Sequence, residues 1–509
     1  MDPLYQLFTH QAQSSPGSEW WVSKSDVADY HRCPWAFWIM DSGQLSREAV
    51  FEEVPVLQTF IDQGMRFEAD VRSQAVAIPD GAVPNLAQHG TSVIYGAPLL
   101  HNDALGIYGR PDAIAAESGA LAPVEVKSHR KRTAMDEIEL CFYWELMAPW
   151  RTWDATLTVQ SEMDGPRSLA VKSPPHGYLI LPDPKGGFRR ERIWLTDKRF
   201  EQMRRLVADV RESRKEPPSQ RICACVVCTR VFRQQIETAA HTRGDLTLIS
   251  GIGRTRATVL ETAGIPSIED LITAEAVQIV TVFRAAKVGI PSQDEVEGWI
   301  HHARALHRDE AVIYGDSLFD SKEYIALDLE YDSDPACRAI YLAGATTVTV
   351  DGQDYTSIWA DYEGERALLE RLAKVLEAHP ELPIVTWNGK SADGVQLRKA
   401  CAGMGMEGLW STFQERHLDL YVNLKSSVRF PIAGFDLKSL ANYLGLTPTS
   451  KVVDGLDTVR LWRQYCKAPG SKRAIAIRQD LTRYNQQDVE ILVRLTDRVR
   501  HLANGRKVA

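Results

Sequence analysis

The chain has 509 residues, of which 44% are hydrophobic and 25% are charged, and its formal net charge is −8. This composition excludes wholesale disorder, and the length suits about three domains of ordinary size. No apolar run is long enough to span a bilayer, and the N-terminus lacks a basic region followed by an apolar stretch. The sequence therefore predicts a cytoplasmic protein with no secretory signal and no membrane association.

The negative charge does not suit a simple nucleic-acid binder, because phosphate contacts need Lys and Arg side chains. Net charge says little about local patches, however, and carboxylate clusters that bind metal also make a protein acidic. Basic tracts are present at residues 127–132, which read KSHRKR, and along the helix-like stretch 198–214. For each tract taken alone, a solvated face is the simpler interpretation.

The predicted elements fall into three segments. Residues 1–240 mix short strands at 93–95, 106–115 and 123–127 with amphipathic helices at 135–147 and 198–214. Residues 241–310 are helical, with glycine-containing turns. Residues 311–509 open with strands at 324–331, 339–348 and 355–359, followed by a helix at 365–378 and a strand at 382–387. Strands first and then strand–helix alternation favour a mixed α/β sheet in this last segment.

Charged residues of the first segment stand at positions that suit a single site. Asp112, in the string GRPD, ends a predicted strand, and Glu125 and Lys127 share one face of the next strand because side chains alternate. A lysine beside a metal-binding carboxylate can steer water and offset the charge of a phosphate. For Glu125 and Lys127 alone, an ordinary surface pair on a hairpin remains the simpler interpretation.

Two further motifs flank these strands. A downstream helix carries Glu139 and Tyr143, and an upstream helix reads GMRFE, with Phe67 and Glu68. The arrangement resembles the PD-(D/E)XK nucleases of the RecB type, with Glu139 at a position that is usually Gln and Phe67 at one that is often His. The resemblance implies a restriction-endonuclease-like domain with a divalent cation bound by Glu68, Asp112 and Glu125. It also implies catalytic roles for Asp112, Glu125, Lys127 and Tyr143.

The eight cysteines do not form a disulfide framework in a cytoplasmic chain of this length. Four of them follow a layout found in RecB-like nucleases such as AddB and the CRISPR-adaptation exonucleases: Cys33 lies near the N-terminus, and Cys223, Cys225 and Cys228 lie beyond the nuclease core. The resemblance implies a 4Fe-4S cluster, with zinc or free thiols as alternatives. The remaining cysteines are predicted to be small core residues: Cys141, Cys337, Cys401 and Cys466.

The helical segment at 241–310 contains the string ISGIG between apolar stretches. This string resembles a helix-hairpin-helix element, in which glycines let the backbone approach a phosphate and a helix N-terminus binds the anion. The residues predicted to contact nucleic acid are Gly251, Gly253 and Arg254, and Arg256 would add charge. A helical spacer between two enzymes is an equally good interpretation, and the two are compatible.

The last segment carries an acidic constellation. Asp328 and Glu330 share one face of a buried strand, where two carboxylates are costly unless a cation compensates their charge. A divalent metal ion is the natural compensation. Asp393 follows a second apolar strand, and Tyr484 and Asp488, four residues apart, share one face of a helix.

These acidic residues and Tyr484, in this order along the chain, resemble the motifs of the DEDD exonucleases, the DnaQ-like branch of the RNase H-like fold. Tyr484 indicates the DEDDy subtype. The resemblance covers roughly the last 190 residues. It implies two Mg²⁺ or Mn²⁺ ions, ~3.5–4 Å apart, bound by the acidic residues, with Tyr484 orienting the attacking water. The implied metal ligands are Asp328, Glu330, Asp393 and Asp488. Asp419 and Asp436 are interpreted as structural.

The sequence thus predicts an α/β protein in three parts: a restriction-endonuclease-like domain (1–240), a helix-hairpin-helix linker (241–310) and an RNase H-like domain (311–509). The predicted function is a metal-dependent nuclease with two modules that degrades or trims DNA ends, with nucleic acid as its partner. The first alternative is a single active C-terminal exonuclease, acting on DNA or RNA, beside an inactive N-terminal domain that binds nucleic acid. The second is a non-catalytic nucleic-acid-binding scaffold. The sequence has no Gly-x-Ser-x-Gly string and no Walker loop, which argues against other hydrolases.

Overall fold

The structure of the protein is a computed structural model that describes residues 20–54, 56–74, 91–95, 99–117, 120–147, 157–161, 165–169, 175–183, 186–315, 319, 321–332, 339–360, 364–446, 452 and 455–503. The chain divides into two compact units, Met1–Arg233 and Gln234–Ala509. Cys337 lies outside the described residues. Among the helices within these ranges, none combines the length and the apolar character that crossing a membrane requires.

Unit 1 contains both helices and strands. Its helices are α1 (Lys24–Arg32), α2 (Pro34–Asp41), α3 (Arg47–Glu53), α4 (Val56–Gln74), α5 (Ala134–Leu146) and α6 (Asp197–Lys215), followed by a π-helical turn at Val227–Val231. Its strands are β1 (Val22–Ser23), β2 (Thr91–Tyr95), β3 (Leu100–Asn102), β4 (Ile107–Gly109), β5 (Ala113–Glu117), β6 (Ala120–Val126), β7 (Leu157–Ser161), β8 (Gly165–Leu169), β9 (His176–Pro182) and β10 (Phe188–Trp194).

A five-stranded sheet in the order β10-β9-β6-β5-β2 organises unit 1. Strands β2, β5 and β6 form an antiparallel meander, α5 follows, and β9 then returns parallel to β6. The apolar side of α5 packs against this sheet, with Leu140, Phe142 and Leu146 in the core. Because β5 pairs with β6 and α5 packs against β6, the elements that carry the predicted N-terminal motifs lie close together.

The single strand expected over residues 106–115 is two strands in the structure. Strand β4 joins a small sheet with β1 and β3, whereas β5 joins the five-stranded sheet. Pro111 stands in the break, where its lack of an N–H donor prevents a continuous ladder. The break places Asp112 at the start of β5, where its carboxylate accepts a hydrogen bond from the Val126 N–H of β6 at 2.8 Å.

The basic face expected on the helix around residues 198–214 is partly engaged within unit 1. Arg214 of α6 forms ion pairs with Asp26 at 3.2 Å and with Asp41 at 3.0 Å. Arg204 of the same helix pairs with Glu145 at 2.5 Å. These arginines therefore connect α6 to neighbouring helices. The interpretation of a merely solvated face was wrong for Arg214, whose side chain is only 17% exposed, whereas Arg204 remains exposed.

Unit 2 begins with helices and continues with a sheet. Its helices are α7 (Arg233–Arg243), which starts at the unit boundary, a 3-10 turn (Leu246–Leu248), α8 (Arg254–Thr262), α9 (Ile268–Thr273), α10 (Ala276–Ala286), α11 (Gln293–Arg308), α12 (Gly364–Glu377), α13 (Asp393–Met404), α14 (Glu407–Arg416), α15 (Leu420–Lys425), α16 (Leu437–Tyr443), α17 (Gly455–Lys467) and α18 (Lys472–Ala503). Its strands are β11 (Val312–Ile313), β12 (Tyr324–Tyr331), β13 (Ile340–Thr349), β14 (Gly352–Trp359), β15 (Ile384–Thr386), β16 (His417–Asp419) and β17 (Val428–Arg429).

The main sheet of unit 2 has the order β14-β13-β12-β15-β16. The first three strands form an antiparallel meander, and β15 and β16 run parallel to β12. Strand β12 is therefore central, which explains why its apolar residues are almost fully buried. Leu327 and Leu329 point to one side, into a core with α12 and α13, and this alternation turns Asp328 and Glu330 to the other side.

The helical segment at the start of unit 2 packs on the sheet domain through buried polar contacts. His302 of α11 is fully buried; its Nδ1 accepts from the Ser250 N–H at 3.0 Å, and its Nε2 donates to the Ile432 carbonyl at 3.0 Å. Burial lowers the pKa of His302 to about 4, so the neutral ring makes both bonds. The Arg429 guanidinium donates to the Gly298 carbonyl at 3.2 Å. The segment is thus fixed to the domain that follows it.

Candidate functional site

Three carboxylates of unit 2 converge on one point. Asp328 and Glu330 project from β12, and Asp488 projects from α18, which lies against the same side of the sheet. One ligand-competent oxygen from each lies within 4.8 Å of the others. This spacing is what a shared divalent cation requires, since its oxygen ligands stand about 2.0–2.6 Å from the ion. The structure therefore brings together three of the four carboxylates that the sequence selects at this end of the chain.

The fourth carboxylate, Asp393, is the first residue of α13 and is buried. It lies outside the group of three within 4.8 Å, but it is close enough to interact electrostatically with Asp328 and Glu330. Burial, and then these two neighbours, raise the pKa of Asp393 well above its ordinary value. Asp393 therefore borders the cluster, where it could bind a second ion.

The loop that leads to Asp393 is held by Asp419. This carboxylate accepts hydrogen bonds from the N–H groups of Asn388 at 3.1 Å and Lys390 at 2.9 Å. Asn388 has a φ of 56°, a left-handed conformation that asparagine tolerates better than most residues. Glycine is needed at position 389 of this loop, because a Cβ there would lie only 2.0 Å from the Thr386 Oγ1. Asp419 thus has the structural role that the sequence suggests, and it positions the start of α13.

Burial and mutual repulsion both oppose ionisation of the cluster. Burial and the neighbouring Asp488 raise the pKa of Asp328 to about 7. Burial, followed by Asp328 and Asp488, raises the pKa of Glu330 well above its usual range. Burial also raises the pKa of Asp488, against the opposing effects of Lys438 and Tyr484. A divalent cation would offset this repulsion and allow all the carboxylates to ionise.

Tyr484 lies one helical turn before Asp488 and hydrogen bonds to its carboxylate. Burial and the acidic neighbours raise the pKa of the Tyr484 phenol, so it keeps its proton at neutral pH. Lys438, at the start of α16, donates to the Tyr484 hydroxyl oxygen at 3.0 Å, and its ammonium lies 4.4 Å from the ring centroid. Lys438 was not among the sequence candidates. The neighbouring Asp436 caps α16 through the Ser439 N–H at 2.9 Å, a structural role.

Asn485 is a second residue that the sequence reasoning missed. Its side chain is fully buried, donates to the Asp328 carboxylate at 2.7 Å and accepts from the Tyr355 hydroxyl at 3.0 Å. Gly344, opposite Asp328 in the sheet, makes room for it, because a Cβ there would lie 1.8 Å from the Asn485 Oδ1. The adjacency of Asn485 to Tyr484 was the one hint in the sequence, and it does not reveal these partners.

A second acidic site lies in unit 1, between β5, β6 and α5. Glu125 is buried, and its Oε1 accepts from the Lys127 ammonium at 2.8 Å. The same ammonium donates to Glu139 Oε2 at 2.5 Å. Lys24, which the sequence reasoning did not select, also donates to Glu125 Oε1, at 2.9 Å. The second oxygen of Glu125, Oε2, is buried without a hydrogen-bond partner among the described residues.

Asp112 and Glu125, which lie on neighbouring strands of this site, have pKa values shifted in opposite directions. Burial, and then Glu125, raise the pKa of Asp112 to about 7. Burial would also raise the pKa of Glu125, but Lys24 and Lys127 lower it to about 2. A buried, unsatisfied carboxylate oxygen beside a second carboxylate is a donor set that fits a divalent cation. The residues present therefore fit one Mg²⁺ or Mn²⁺ ion.

Three other residues predicted for this site, Tyr143, Glu68 and Phe67, lie around it and do not all contact its carboxylates. Tyr143 is buried and donates from its hydroxyl to the Arg110 carbonyl at 3.0 Å, which fixes the turn before Asp112. Glu68 of α4 forms an ion pair with Arg72 at 2.5 Å and lies near enough to Asp112 to raise its pKa. Phe67 packs against the apolar cluster of the sheet. Tyr143 thus supports the site through the backbone rather than through the carboxylates.

Four cysteines of unit 1 converge although up to 195 residues separate them. The Cys33 sulfur lies 3.5 Å from that of Cys228 and 3.5 Å from that of Cys223. All four sulfurs, including that of Cys225, lie within 4.8 Å of one another. Hydrogen bonds with the other three thiols lower the pKa of Cys33. Four such sulfurs are a donor set for a thiolate-bound metal.

The spacing of these sulfurs bears on the type of metal group. Four sulfurs around one zinc ion are about 3.8 Å apart, given Zn–S bonds of ~2.3 Å in a tetrahedron. A four-iron cluster places a separate iron behind each thiolate, so its sulfurs stand further apart. The distances of 3.5 Å are thus closer to the single-ion arrangement. Of the remaining described cysteines, Cys141 and Cys401 are buried as expected, whereas Cys466 is exposed, so a core role was wrong for it.

The glycine turn of the helical segment lies at the surface. Gly251 has a φ of 97° and is exposed, and Gly253 is the N-cap of α8 without a side-chain cap. Arg254 is the first residue of α8. Arg256 is not available as the additional cation that the sequence suggested, because it pairs with Glu295 at 2.6 Å and lies over the Trp299 ring at 5.0 Å. The turn thus presents an exposed glycine backbone and one partly exposed arginine.

Comparison with known proteins agrees with this geometry at the C-terminal end. Residues 325–500 match the sequence model of the RNase_H superfamily. The match supports the RNase H-like fold that the sequence predicts for this end of the chain. Proteins of this superfamily are typically metal-dependent nucleases, and the match supports a nuclease-type function for the C-terminal domain.

One solved structure with some likeness is a family B DNA polymerase from the hyperthermophilic archaeon Pyrobaculum calidifontis. It is 16% identical, with a TM-score of 0.28, over 37% of this chain and 28% of the polymerase chain. The likeness thus spans less than a third of the polymerase, and a TM-score this low does not establish a common fold. No curated protein matches the chain.

Proposed function

We propose that the C-terminal domain is a metal-dependent exonuclease that removes nucleotides from the 3′ end of a nucleic acid, most suitably DNA. The observation that carries the proposal is the convergence of Asp328, Glu330 and Asp488 within 4.8 Å, in a domain with an RNase H-like fold. Burial raises the pKa of all three carboxylates, and neighbouring carboxylates raise the pKa of Asp328 and Glu330 further, so a bound cation would favour their ionised forms.

Asp328, Glu330, Asp393 and Asp488 would hold two Mg²⁺ or Mn²⁺ ions. When bound, such ions supply a hydroxide nucleophile and stabilise the leaving 3′ oxygen. The protonated Tyr484 phenol would orient the attacking water, and Lys438 positions the phenol by donating to its oxygen. Asn485 fixes the Asp328 carboxylate in the direction of the cluster. The chain's own contribution is thus to hold the carboxylates and the phenol in place before the substrate arrives.

We propose a second, RecB-like nuclease site in unit 1, formed by Asp112, Glu125 and Lys127. Support comes from the buried Oε2 of Glu125, which has no partner among the described residues, and from Asp112 on the neighbouring strand. Lys127 would offset the charge of a phosphate. A specific observation favours the alternative of an inactive, nucleic-acid-binding domain: two ammonium groups already neutralise Glu125.

The four cysteines would hold a metal group that closes unit 1. The family resemblance favours a 4Fe-4S cluster, whereas the sulfur distances favour a single zinc ion. When bound, either group would connect Cys33 to the segment at 223–228, which lies close to the other end of unit 1. A separate proposal concerns unit 2: the exposed turn at Gly251, Gly253 and Arg254 would bind a phosphate of the nucleic acid.

End-labelled single-stranded DNA, duplex DNA and RNA, incubated with Mg²⁺ or Mn²⁺, test these proposals. Asp328→Ala is expected to abolish degradation from the 3′ end, and Lys127→Ala to remove a second, distinct cleavage. Asp354→Ala, which removes an exposed carboxylate from β14 of the same sheet, is the matched control and should leave both activities unchanged. Persistence of 3′-end degradation in Asp328→Ala would contradict the C-terminal assignment. An unaltered product pattern in Lys127→Ala would favour the inactive N-terminal domain.

A further inference from the structure

Lys24 lies inside the N-terminal acidic site, although 101 positions separate it from Glu125 in the sequence. Its ammonium is 2.9 Å from Glu125 Oε1 and 3.5 Å from Glu139 Oε2. The same ammonium lies 5.7 Å from the ring centroid of Tyr143. Lys24 is therefore part of the site by position, although no motif singles it out.

The position of Lys24 in its own helix does not explain its presence. Lys24 is the first residue of α1, directly after the N-cap Ser23. The aligned peptide dipoles make this end of a helix positive, so acidic residues are favoured there and a lysine is disfavoured. Asp26 in the same turn follows this rule. The contacts that favour a cation at Lys24 are those with Glu125 and Glu139.

Lys24 and Lys127 contact the same two carboxylate oxygens. Lys127 lies 2.8 Å from Glu125 Oε1 and 2.5 Å from Glu139 Oε2. Lys127 alone therefore gives each glutamate an ion-pair partner, and Lys24 adds a second positive charge. That charge stands next to the place where Asp112 and the free Oε2 of Glu125 would bind a divalent cation. Repulsion between like charges opposes cation entry while both ammonium groups remain.

Of the two lysines, Lys24 is held less firmly. Lys127 has the shorter contacts with both glutamates, and its backbone N–H donates to the Ile180 carbonyl at 2.9 Å. Lys24 lies 3.5 Å from Glu139, against 2.5 Å for Lys127, and its own side chain is 23% exposed, so it has access to solvent. A rotation of the flexible Lys24 side chain toward solvent would remove its positive charge from the site without moving the sheet.

We propose that Lys24 is a charge gate of the N-terminal site: it neutralises Glu125 and Glu139 in the metal-free protein, and a divalent cation binds when its ammonium moves away. Lys24 then sets the metal affinity of this site. The inference rests on the proposed function, because it assumes that Asp112 and Glu125 bind a cation.

The test measures Mn²⁺ binding by electron paramagnetic resonance of the free ion, in full-length protein that carries Asp328→Ala and Asp488→Ala. These two changes remove carboxylates of the C-terminal cluster, and Glu125→Ala in this parent identifies the N-terminal site. Lys24→Met is expected to tighten Mn²⁺ binding at that site by about tenfold or more. Lys24→Arg, which keeps the charge, should bind like the parent. The matched control Lys198→Met changes an exposed lysine of α6 and should also bind like the parent.

Equal or weaker binding in Lys24→Met would overturn the gate, provided that Glu125→Ala still removes the site. Lys24→Gln, which keeps a hydrogen-bond donor without the charge, is expected to show the same tightening and carries the test if the Met variant does not fold. A different result, in which no variant has a Mn²⁺ site sensitive to Glu125→Ala, would overturn the proposed metal site itself and the gate with it.

Discussion

The side-chain amide of Asn485 donates to the Asp328 carboxylate at 2.7 Å and to the Asp328 carbonyl oxygen at 3.3 Å. One side chain of α18 therefore fixes both the backbone and the carboxylate of the central strand. The opposite end of the same amide accepts from Tyr355 at 3.0 Å. Because Asn485 is fully buried, each of its bonds forms away from competing water.

We expect Asn485→Ala to lower the free energy of unfolding by about 1–3 kcal/mol, since it leaves the Tyr355 hydroxyl without this acceptor and opens a cavity. Asn485→Asp should cost more activity than Asn485→Ala, because it adds a negative charge beside Asp328. Urea unfolding and 3′-end degradation rates measure the two effects. The control is Gln486→Ala, which removes a neighbouring, exposed amide and should leave the rate intact. A wild-type rate in Asn485→Asp would contradict this role.

The contact between Lys438 and Tyr484 makes a separate prediction. Lys438→Met removes the donor at 3.0 Å and the cation over the ring, so the phenol loses its fixed direction. We expect kcat to fall by about tenfold or more with a smaller change in KM, and Lys438→Arg to restore part of it. Steady-state kinetics on a short oligonucleotide measure both constants. A change in KM alone would indicate that Lys438 binds substrate instead.

The raised pKa values predict how stability without metal depends on pH. Asp112 and Asp328 each have a pKa of about 7 in the folded protein, above the ordinary value for aspartate. The folded state thus holds these protons more tightly, so the stabilisation is complete below the unfolded pKa and is lost as pH rises to about 7. With metal removed, Asp328→Asn should raise the unfolding temperature at about pH 8 relative to wild type, and the difference should shrink at about pH 5.

Differential scanning calorimetry in EDTA measures this effect, and Asp354→Asn, at an exposed carboxylate, serves as the control. Added Mn²⁺ should stabilise wild type at about pH 8 more than Asp328→Asn, because the cation needs the ionised carboxylate. If Asp328→Asn instead unfolds at a lower temperature than wild type under these metal-free alkaline conditions, ionisation of Asp328 does not destabilise the folded protein.

The cysteine cluster predicts a stoichiometric metal group. We expect wild type, purified without oxygen, to contain either one zinc or an iron–sulfur cluster per chain, and Cys228→Ser to lose it. The same change should lower the unfolding temperature, because Cys33 and Cys228 connect distant parts of unit 1. Elemental analysis and the visible spectrum distinguish the two groups, since zinc gives no colour. Cys466→Ser, at an exposed cysteine, is the control. Absence of bound metal from wild type would contradict the proposal.

Two arginines of α8 should differ in their effects. Arg254→Ala is expected to weaken DNA binding and reduce its salt dependence, with little change in stability. Arg256→Ala should destabilise unit 2 instead, because it removes the ion pair with Glu295 and the contact with Trp299. Fluorescence anisotropy at several salt concentrations, together with thermal unfolding, separates the two. Unchanged affinity in Arg254→Ala would indicate that the turn is only a spacer.

Local periodicity was enough to predict many of the elements. The strand expected at 324–331 has these bounds in the structure, since the buried apolar run leaves little choice of register. The helix expected at 135–147 is Ala134–Leu146. The prediction of one continuous strand at 106–115 was wrong. Pro111 interrupts the hydrogen-bond ladder, and the pattern of apolar residues gives no sign of this interruption.

The candidate sites could be predicted where the relevant residues lie on one element or follow a family pattern. Asp328 and Glu330 share a strand face, and Tyr484 and Asp488 share a helix face, so spacing alone pairs them. Lys24 and Asn485 could not be predicted in this way. Each acts through a contact with a residue more than a hundred positions away, which only the folded chain creates.

In the proposed function, carboxylates that are distant in the sequence of the C-terminal domain bind divalent cations together. Crystals of the full-length protein soaked in Mn²⁺ and measured near the manganese absorption edge test it most directly. We expect an anomalous peak within bonding distance of Asp328, Glu330 and Asp488, and we expect it to disappear in Asp328→Ala. Well-ordered carboxylates without such a peak, in a protein that still degrades DNA, would contradict it.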